Sequence, residues 1–211
     1  GGVIVPPETY WPEIQRICDK YGVLLVSDEV ITGFGRTGAW FASGLLGLEP
    51  DLVLCAKGLT SGYAPMGAVL AAERVWSPFY AEGAGVFRHG YTYGAHAVSA
   101  AAGLVNLEIM RDEQLPEHVA ACAETLYQTL RAVTEPLPVI SEVRTAPGYL
   151  AAVQLADPNR VNEAIAALRG TGVLTRALVG GGLQISPPLV LTEAEIAELG
   201  ERLAAGLASL S

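Results

Sequence analysis

Residues 23–57 read VLLVSDEVITGFGRTGAWFASGLLGLEPDLVLCAK, from Val23 to Lys57, and this stretch decides the fold. It contains two short apolar runs, Val23–Ser27 and Leu52–Ala56. Each is too short for a helix and is bounded by turn residues, so both predict buried strands. The first run ends in Asp28 and Glu29, the second in Lys57. Ligands of open α/β sheets sit at the carboxyl ends of the strands. Two strands that deliver acids and an amine to one such edge form a constellation with chemical use.

The lysine stands out in the composition. Of thirteen basic side chains only two are lysines, Lys20 and Lys57. Lys20 lies near a helix end, where a cation complements the helix dipole. Lys57 follows an apolar strand and precedes the glycine-containing loop GLTSGYAPMG. Desolvation at a strand end lowers a lysine's pKa and frees its amine as a nucleophile, and lysines that attack carbonyls are placed in this way. By itself the position equally fits a lysine snorkelling from a strand end.

Outward from this stretch, Gly1–Pro7 reads as a strand end closed by two prolines. Tyr10–Tyr21 places Ile14, Ile17, Cys18 and Tyr21 on one helical face, with Gly22 as the stop. The glycines at 33, 35 and 38 predict an open loop in which Arg36 holds neighbouring backbone or carboxylate; GFGRTG lacks dinucleotide-fingerprint spacing. After the Lys57 loop come a buried strand over Gly67–Ala72 and a short helix over Glu73–Tyr80. An irregular glycine- and aromatic-rich segment over Ala81–Tyr93 follows. His96–Met110 predicts a buried helix, and Leu115–Val133 a second one opened by Pro116.

The rhythm changes after Pro136. Strands are expected over Val139–Arg144, Leu150–Leu155, Val173–Arg176 and Leu183–Ser186, with a helix over Asn159–Arg169. A last helix opens with Thr192 and Glu195 in capping-box register and turns Ile196, Leu199, Leu203 and Leu207 inward. The division expected from this pattern is residues 1–133 and a smaller α/β domain over 134–211.

A chain of 211 residues that is 51% hydrophobic and 17% charged has ample core material. A net charge of −9 argues against nucleic acid or an anionic membrane as partner. No apolar run has membrane-spanning length. Cys18, Cys55 and Cys122 lack paired or metal-ligand spacing and read as core thiols of a cytoplasmic protein.

Three blocks, DEVITGFGRTGAWFA, PDLVLCAKGLTSGYAPMGAVLA and HGYTYGAH, resemble in order and spacing the class III (omega) aminotransferases. The resemblance continues to ISPPLVLTEAE and covers the whole chain, which corresponds to roughly the C-terminal half of such an enzyme. It implies the aspartate aminotransferase-like fold of transferases dependent on pyridoxal 5′-phosphate (PLP). The expected architecture is part of a large domain with a mixed, mostly parallel sheet, plus a small C-terminal α/β domain. It also implies a homodimer with shared active sites. The expected reaction moves an amino group from an amino acid or amine to a 2-oxo acid in a ping-pong cycle.

Carried onto this chain, the resemblance makes Lys57 the residue that holds the cofactor as an internal aldimine and then moves the substrate proton. Asp28 matches the partner of the pyridine nitrogen, whose protonation an opposite charge favours. Val30 matches the residue packed on the cofactor ring. Thr92 matches the threonine that binds the phosphate of the partner subunit's cofactor. Here the usual Gly-His-Pro ending of that motif reads Ala95-His96-Ala97. Arg176 lies where related enzymes keep a mobile arginine for a substrate carboxylate, and Gly180–Gly182 would let it swing. A surface arginine fits the same position. His89 and His96 receive no role.

Other readings stand beside this one. LLVSDE is similar to the acidic strand of nucleotide hydrolases, but no G-x-x-x-x-G-K-[ST] loop accompanies it. Aminomutases, decarboxylases and racemases of the same family share the aspartate and lysine. An inactive fragment or non-catalytic module is also compatible, because the other half of the family's enzymes supplies much of the phosphate loop and dimer interface. The chain alone is accordingly expected to show little turnover.

Overall fold

The computed structural model describes residues 2–210. Packing divides them into two compact units: Pro7–Gln114, and the residues up to Pro6 together with those from Leu115 onward. This division falls one helix before the one the sequence pattern suggests. The helix concerned, α5 (Leu115–Thr134), buries Val119, Cys122, Leu126 and Leu130 in the core of the C-terminal unit.

In the unit Pro7–Gln114, helix α1 (Tyr10–Tyr21) ends at Gly22, whose φ of 64° is a left-handed cap that glycine adopts without steric cost. Strand β1 (Val26–Asp28) lies beside β2 (Leu52–Cys55) in parallel, with Val26 opposite Leu52 and Asp28 opposite Leu54. Strand β3 (Ala68–Ala71) joins the far side of β2 antiparallel, giving a mixed sheet with β2 in the centre. The short helices α2 (Ala42–Leu45) and α3 (Glu73–Trp76) lie in the connections, and α4 (Ala97–Asp112) closes the unit.

The first strand begins later than its apolar run predicts. The Leu25 N–H bonds to the Asp51 carboxylate at 2.8 Å, while the Leu25 carbonyl accepts from the Asp51 N–H at 2.8 Å. A side chain thus stands in for the neighbouring strand at this position, and regular pairing starts at Val26. Asp51 also accepts from Arg74, tying the start of β2 to α3.

The expected burial does not hold for β1, β3 and α4, whereas central β2 is half-buried and its Cys55 buried. Val69 on β3 is 60% exposed and Val98 on α4 71% exposed. Helix α4 meets its own unit along one line, Ser99, Gly103, Asn106 and Met110, spaced so that all four share a face.

The C-terminal unit is denser. Strands β4 (Ile140–Ala146), β5 (Leu150–Leu155), β6 (Ala177–Leu178) and β7 (Gly182–Ile185) form an antiparallel sheet in the order β4-β5-β7-β6. Alternate residues Ala151, Val153 and Leu155 of β5 share a face and join one core with Leu183 and Ile185 of β7. Helices α5, α6 (Val161–Gly170) and α7 (Glu193–Ala208) complete that core through Leu126, Leu168, Ile196, Leu203 and Leu207. Helix α7 starts with the capping box that its sequence predicts, Thr192 Oγ1 accepting from the Glu195 N–H while Glu195 accepts from the Thr192 N–H.

The strand expected over Val173–Arg176 is absent. Regular pairing starts at Ala177; just before it the Gln184 N–H donates to the Arg176 carbonyl at 3.1 Å, while the Gln184 carbonyl accepts from the Thr175 hydroxyl at 2.6 Å. Gly1 of the expected N-terminal strand end lies outside the described residues, and residues 2–7 form no regular element. Among the described residues no helix is long and apolar enough to cross a membrane.

Candidate active site

The parallel pairing of β1 and β2 fixes the geometry. Asp28 is the last residue of β1, and Lys57 follows β2 by two residues, three beyond the Leu54 that stands opposite Asp28. The acid and the amine therefore leave the sheet at the same carboxyl edge of neighbouring strands. Both side chains are exposed there. The desolvation expected for Lys57 is not present, because the chain turns out of the sheet at once into a 3-10 turn over Lys57–Leu59.

The two adjacent carboxylates have different fates. Asp28 accepts one bond, from the Val30 N–H to Oδ1 at 3.1 Å, which closes a tight turn and leaves its second oxygen facing outward. Glu29 points the other way and is 1% exposed. Its carboxylate accepts from the Thr32 hydroxyl at 2.5 Å, the Ala42 N–H at 2.9 Å and the Ser43 N–H at 2.7 Å. Glu29 thereby ties the return of the loop to its root. Strand alternation separates these two roles.

That loop is folded onto the one carrying Lys57. Phe34 is buried at φ 56° and stacks edge-to-face on Phe41, with ring centres 5.3 Å apart. A Cβ at Gly58 would come within 2.9 Å of the Phe34 Cβ, so only glycine fits beside Lys57. Lys57 itself takes φ 43° and Ser61 φ 48°, conformations that cost non-glycine residues energy. Asn106 of α4 donates to the Gly58 and Leu59 carbonyls of the same loop. Burial lowers the pKa of the Arg36 guanidinium in the first loop. Burial, with the Glu29 charge as a further cause, raises that of the Cys55 thiol beneath the site.

The remaining candidates are placed as follows. Val30 is half-buried directly after the Asp28 turn. Thr92 is exposed in a tight turn closed by the Gly94 N–H and the Tyr91 carbonyl, within the irregular segment between α3 and α4. His96 caps α4, its Nδ1 accepting from the Ser99 N–H at 3.3 Å. Arg176 belongs to the other unit, exposed at the start of β6, with its Nε donating to Gln184 Oε1 at 2.5 Å. Asp28, Val30 and Lys57 are thus brought together on one sheet edge, while Arg176 stands in a separately packed unit.

The chain as a whole is similar to known proteins. The family model described as aminotransferase class-III matches residues 1–207. The chain belongs to that family. A putrescine–pyruvate aminotransferase of Pseudomonas aeruginosa is 42% identical over 209 residues, covering 94% of this chain and 45% of the relative. A diaminobutyrate–2-oxoglutarate transaminase of Halomonas elongata is 39% identical over 217 residues, covering 96% and 46%. Among solved structures, an amine transaminase from an uncultivated Pseudomonas species, in its PLP-bound form, superimposes with a TM-score of 0.92. It is 37% identical, and the match covers 100% of this chain and 50% of that one. An (S)-enantioselective omega-transaminase from Thermomicrobium roseum superimposes equally well, TM-score 0.92 at 39% identity, covering 99% and 48%.

This class-III chain spans about half the length of the relatives and structures it matches. Its architecture is that of the PLP-dependent transferases, and its cofactor is pyridoxal 5′-phosphate. The residues present fit that group. An exposed amine and an exposed carboxylate with a spare acceptor oxygen stand at the ends of paired parallel strands, as an aldehyde and a protonated ring nitrogen require.

Sequence reasoning singled out Lys57 and Asp28 but left Glu29 undifferentiated and passed over Gly58 and Asn106. One signal for Asn106 was available: it interrupts the apolar run Gly103-Leu-Val-Asn-Leu, where an amide is a poor helix former and calls for a partner.

Proposed function

We propose that this class-III aminotransferase chain carries the lysine and the ring-nitrogen acid of a transaminase that moves an amino group from an amino acid or amine to a 2-oxo acid in a ping-pong cycle. The observation that supports this most strongly is the placement of Asp28 and Lys57 at one carboxyl edge of two paired parallel strands.

When bound, pyridoxal phosphate supplies an electron sink for the Cα–H bond that breaks. Asp28 holds a proton on the ring nitrogen by its opposite charge. Lys57 would hold the cofactor through its amine and, as a free amine, would take and return the proton at the substrate Cα. Val30 packs on the ring. Thr92 donates its hydroxyl to a phosphate, across the interface of a homodimer with shared sites. Arg176 exchanges Gln184 for a substrate carboxylate, which its planar fork grips in two bonds. The protein works in the cytoplasm. The 211 residues alone turn over little, a reading supported by the uncovered apolar side chains of the β1–β3 sheet.

The test is a half-reaction. An amine donor added without acceptor should bleach the visible band of the PLP-loaded protein and release one carbonyl product, and a 2-oxo acid should restore the band. Asp28→Asn should retain some cofactor and slow the bleaching at least about a hundredfold. Carbon dioxide release, or a rearranged amine with no carbonyl product, would assign the site to a decarboxylase or an aminomutase. Unimpaired bleaching in Asp28→Asn would remove the acid from its role.

A further inference from the structure

We propose that Asn106 is a positioning residue for Lys57, holding the strained loop that aims the amine. This inference rests on the reading of Lys57 as the reactive amine and adds to it the device that orients it.

The geometry is specific. Asn106 Nδ2 donates to the Gly58 carbonyl at 2.9 Å and to the Leu59 carbonyl at 3.1 Å. Its Oδ1 accepts from the Ser61 hydroxyl at 2.6 Å. One side-chain amide thus grips three of the four residues that follow Lys57 in the chain. An amide suits this cradle because it alone offers two N–H donors and an acceptor at one point. The loop needs such a grip, since Lys57 and Ser61, at its two ends, are both non-glycine residues at positive φ. Conformations of that kind persist where surrounding contacts over-determine them.

Next to Lys57 the loop's own backbone bonds are long, Leu59 N–H to the Ala56 carbonyl at 3.1 Å, Thr60 N–H to the Lys57 carbonyl at 3.2 Å and Ser61 N–H to the Gly58 carbonyl at 3.4 Å, while the shorter bond from the Thr60 hydroxyl to the Ala64 carbonyl, 2.6 Å, closes the turn farther on. The amide grip comes from α4, 45 residues away in sequence from Ser61. Gly103, one turn earlier on the same face, brings α4 close to the loop: a Cβ placed there would rest in ordinary contact with Met66 and the Leu59 carbonyl. The backbone direction at Lys57, and so the reach of its Nζ, is set by a residue that never touches the reacting atoms.

The composition supplies a clean assay. PLP is added, the lysine–aldehyde adduct is reduced with borohydride, and peptide mass spectrometry gives the rate of labelling at Lys57 relative to Lys20. Lys20 lies on α1 beside Tyr21, far in sequence from the loop, and serves as the internal reference. Wild-type protein labels Lys57 first. In Asn106→Ala the Lys57 rate falls about tenfold or more while Lys20 is unchanged and the melting curve stays cooperative. Asn106→Asp keeps the volume and the Ser61 acceptor but sets a carboxylate against two carbonyls, and it falls equally. Ser61→Ala, which spares both carbonyl bonds, stays within about twofold of wild type. Should Asn106→Ala fail to fold, Asn106→Asp and Ser61→Ala carry the comparison. A full Lys57 preference retained in the folded Asn106 variants overturns this inference alone. Wild-type protein that labels both lysines alike overturns the reading of Lys57 beneath it.

Discussion

Glu29 and Asp28 show how one step along a strand divides labour between two identical charges. The outward acid keeps an oxygen open at the sheet edge, while the inward one spends its capacity on Thr32, Ala42 and Ser43. Truncating the inward acid strands two backbone N–H groups without acceptors. Glu29→Ala is expected to cost about 3 kcal/mol, and Glu29→Gln less, because the amide oxygen still serves one of them. Urea unfolding followed by circular dichroism checks this, and equal stability of both variants to wild type would contradict it. At this scale the sequence announced the pair but not which member faced inward. That choice depends on strand register, and register follows from the Asp51–Leu25 exchange, a contact between residues far apart in the chain. The left-handed backbone of Lys57 is likewise hidden in the sequence, because the groups packed on the next residues, Phe34 against Gly58 and Asn106 on the Gly58 and Leu59 carbonyls, come from distant parts of the chain.

At the scale of elements, helices with strong local signals stood where their residues put them. Tyr10–Tyr21 ends at its glycine, and α7 begins at its capping box, since both signals are complete within a few residues. The strand over Val23–Ser27 starts late and the one over Val173–Arg176 does not form, and at both places a side chain, Asp51 or Thr175, takes a bond to the neighbouring backbone. The first of these carries a pH signature. Burial by itself would raise the Asp51 carboxyl, but the Leu25 N–H and the Arg74 guanidinium outweigh it and hold the carboxyl below its usual value. A lowered folded-state pKa contributes stability that is present above the unfolded value and lost as pH falls through the folded one. The Pro7–Gln114 unit should therefore lose about 1–2 kcal/mol below roughly pH 4. Asp51→Asn should have lost that increment already at neutral pH and show a flatter acid limb. Parallel acid limbs in the two proteins would rule this out.

Across the whole molecule, the two units differ in how much they bury. The C-terminal unit encloses a continuous core in which Leu126, Leu130, Leu183 and Leu203 have no exposed surface. The unit with Asp28 and Lys57 leaves Val26, Val69 and Leu70 about half open. Composition could not distinguish these cases, because the apolar runs of the two sheets look alike until their coverage is known. Hydrogen exchange should accordingly be slow in β5 and β7 and faster by about a hundredfold or more in β1 and β3; equal protection of both sheets would contradict this. The central claim concerns the amine at the open sheet's edge, and absorbance with pyridoxal phosphate tests it most directly. Wild-type protein is predicted to develop the visible band of a lysine-bound cofactor, and Lys57→Ala to lose most of it although Lys20 remains; a Lys57→Ala protein with an undiminished band would contradict the account.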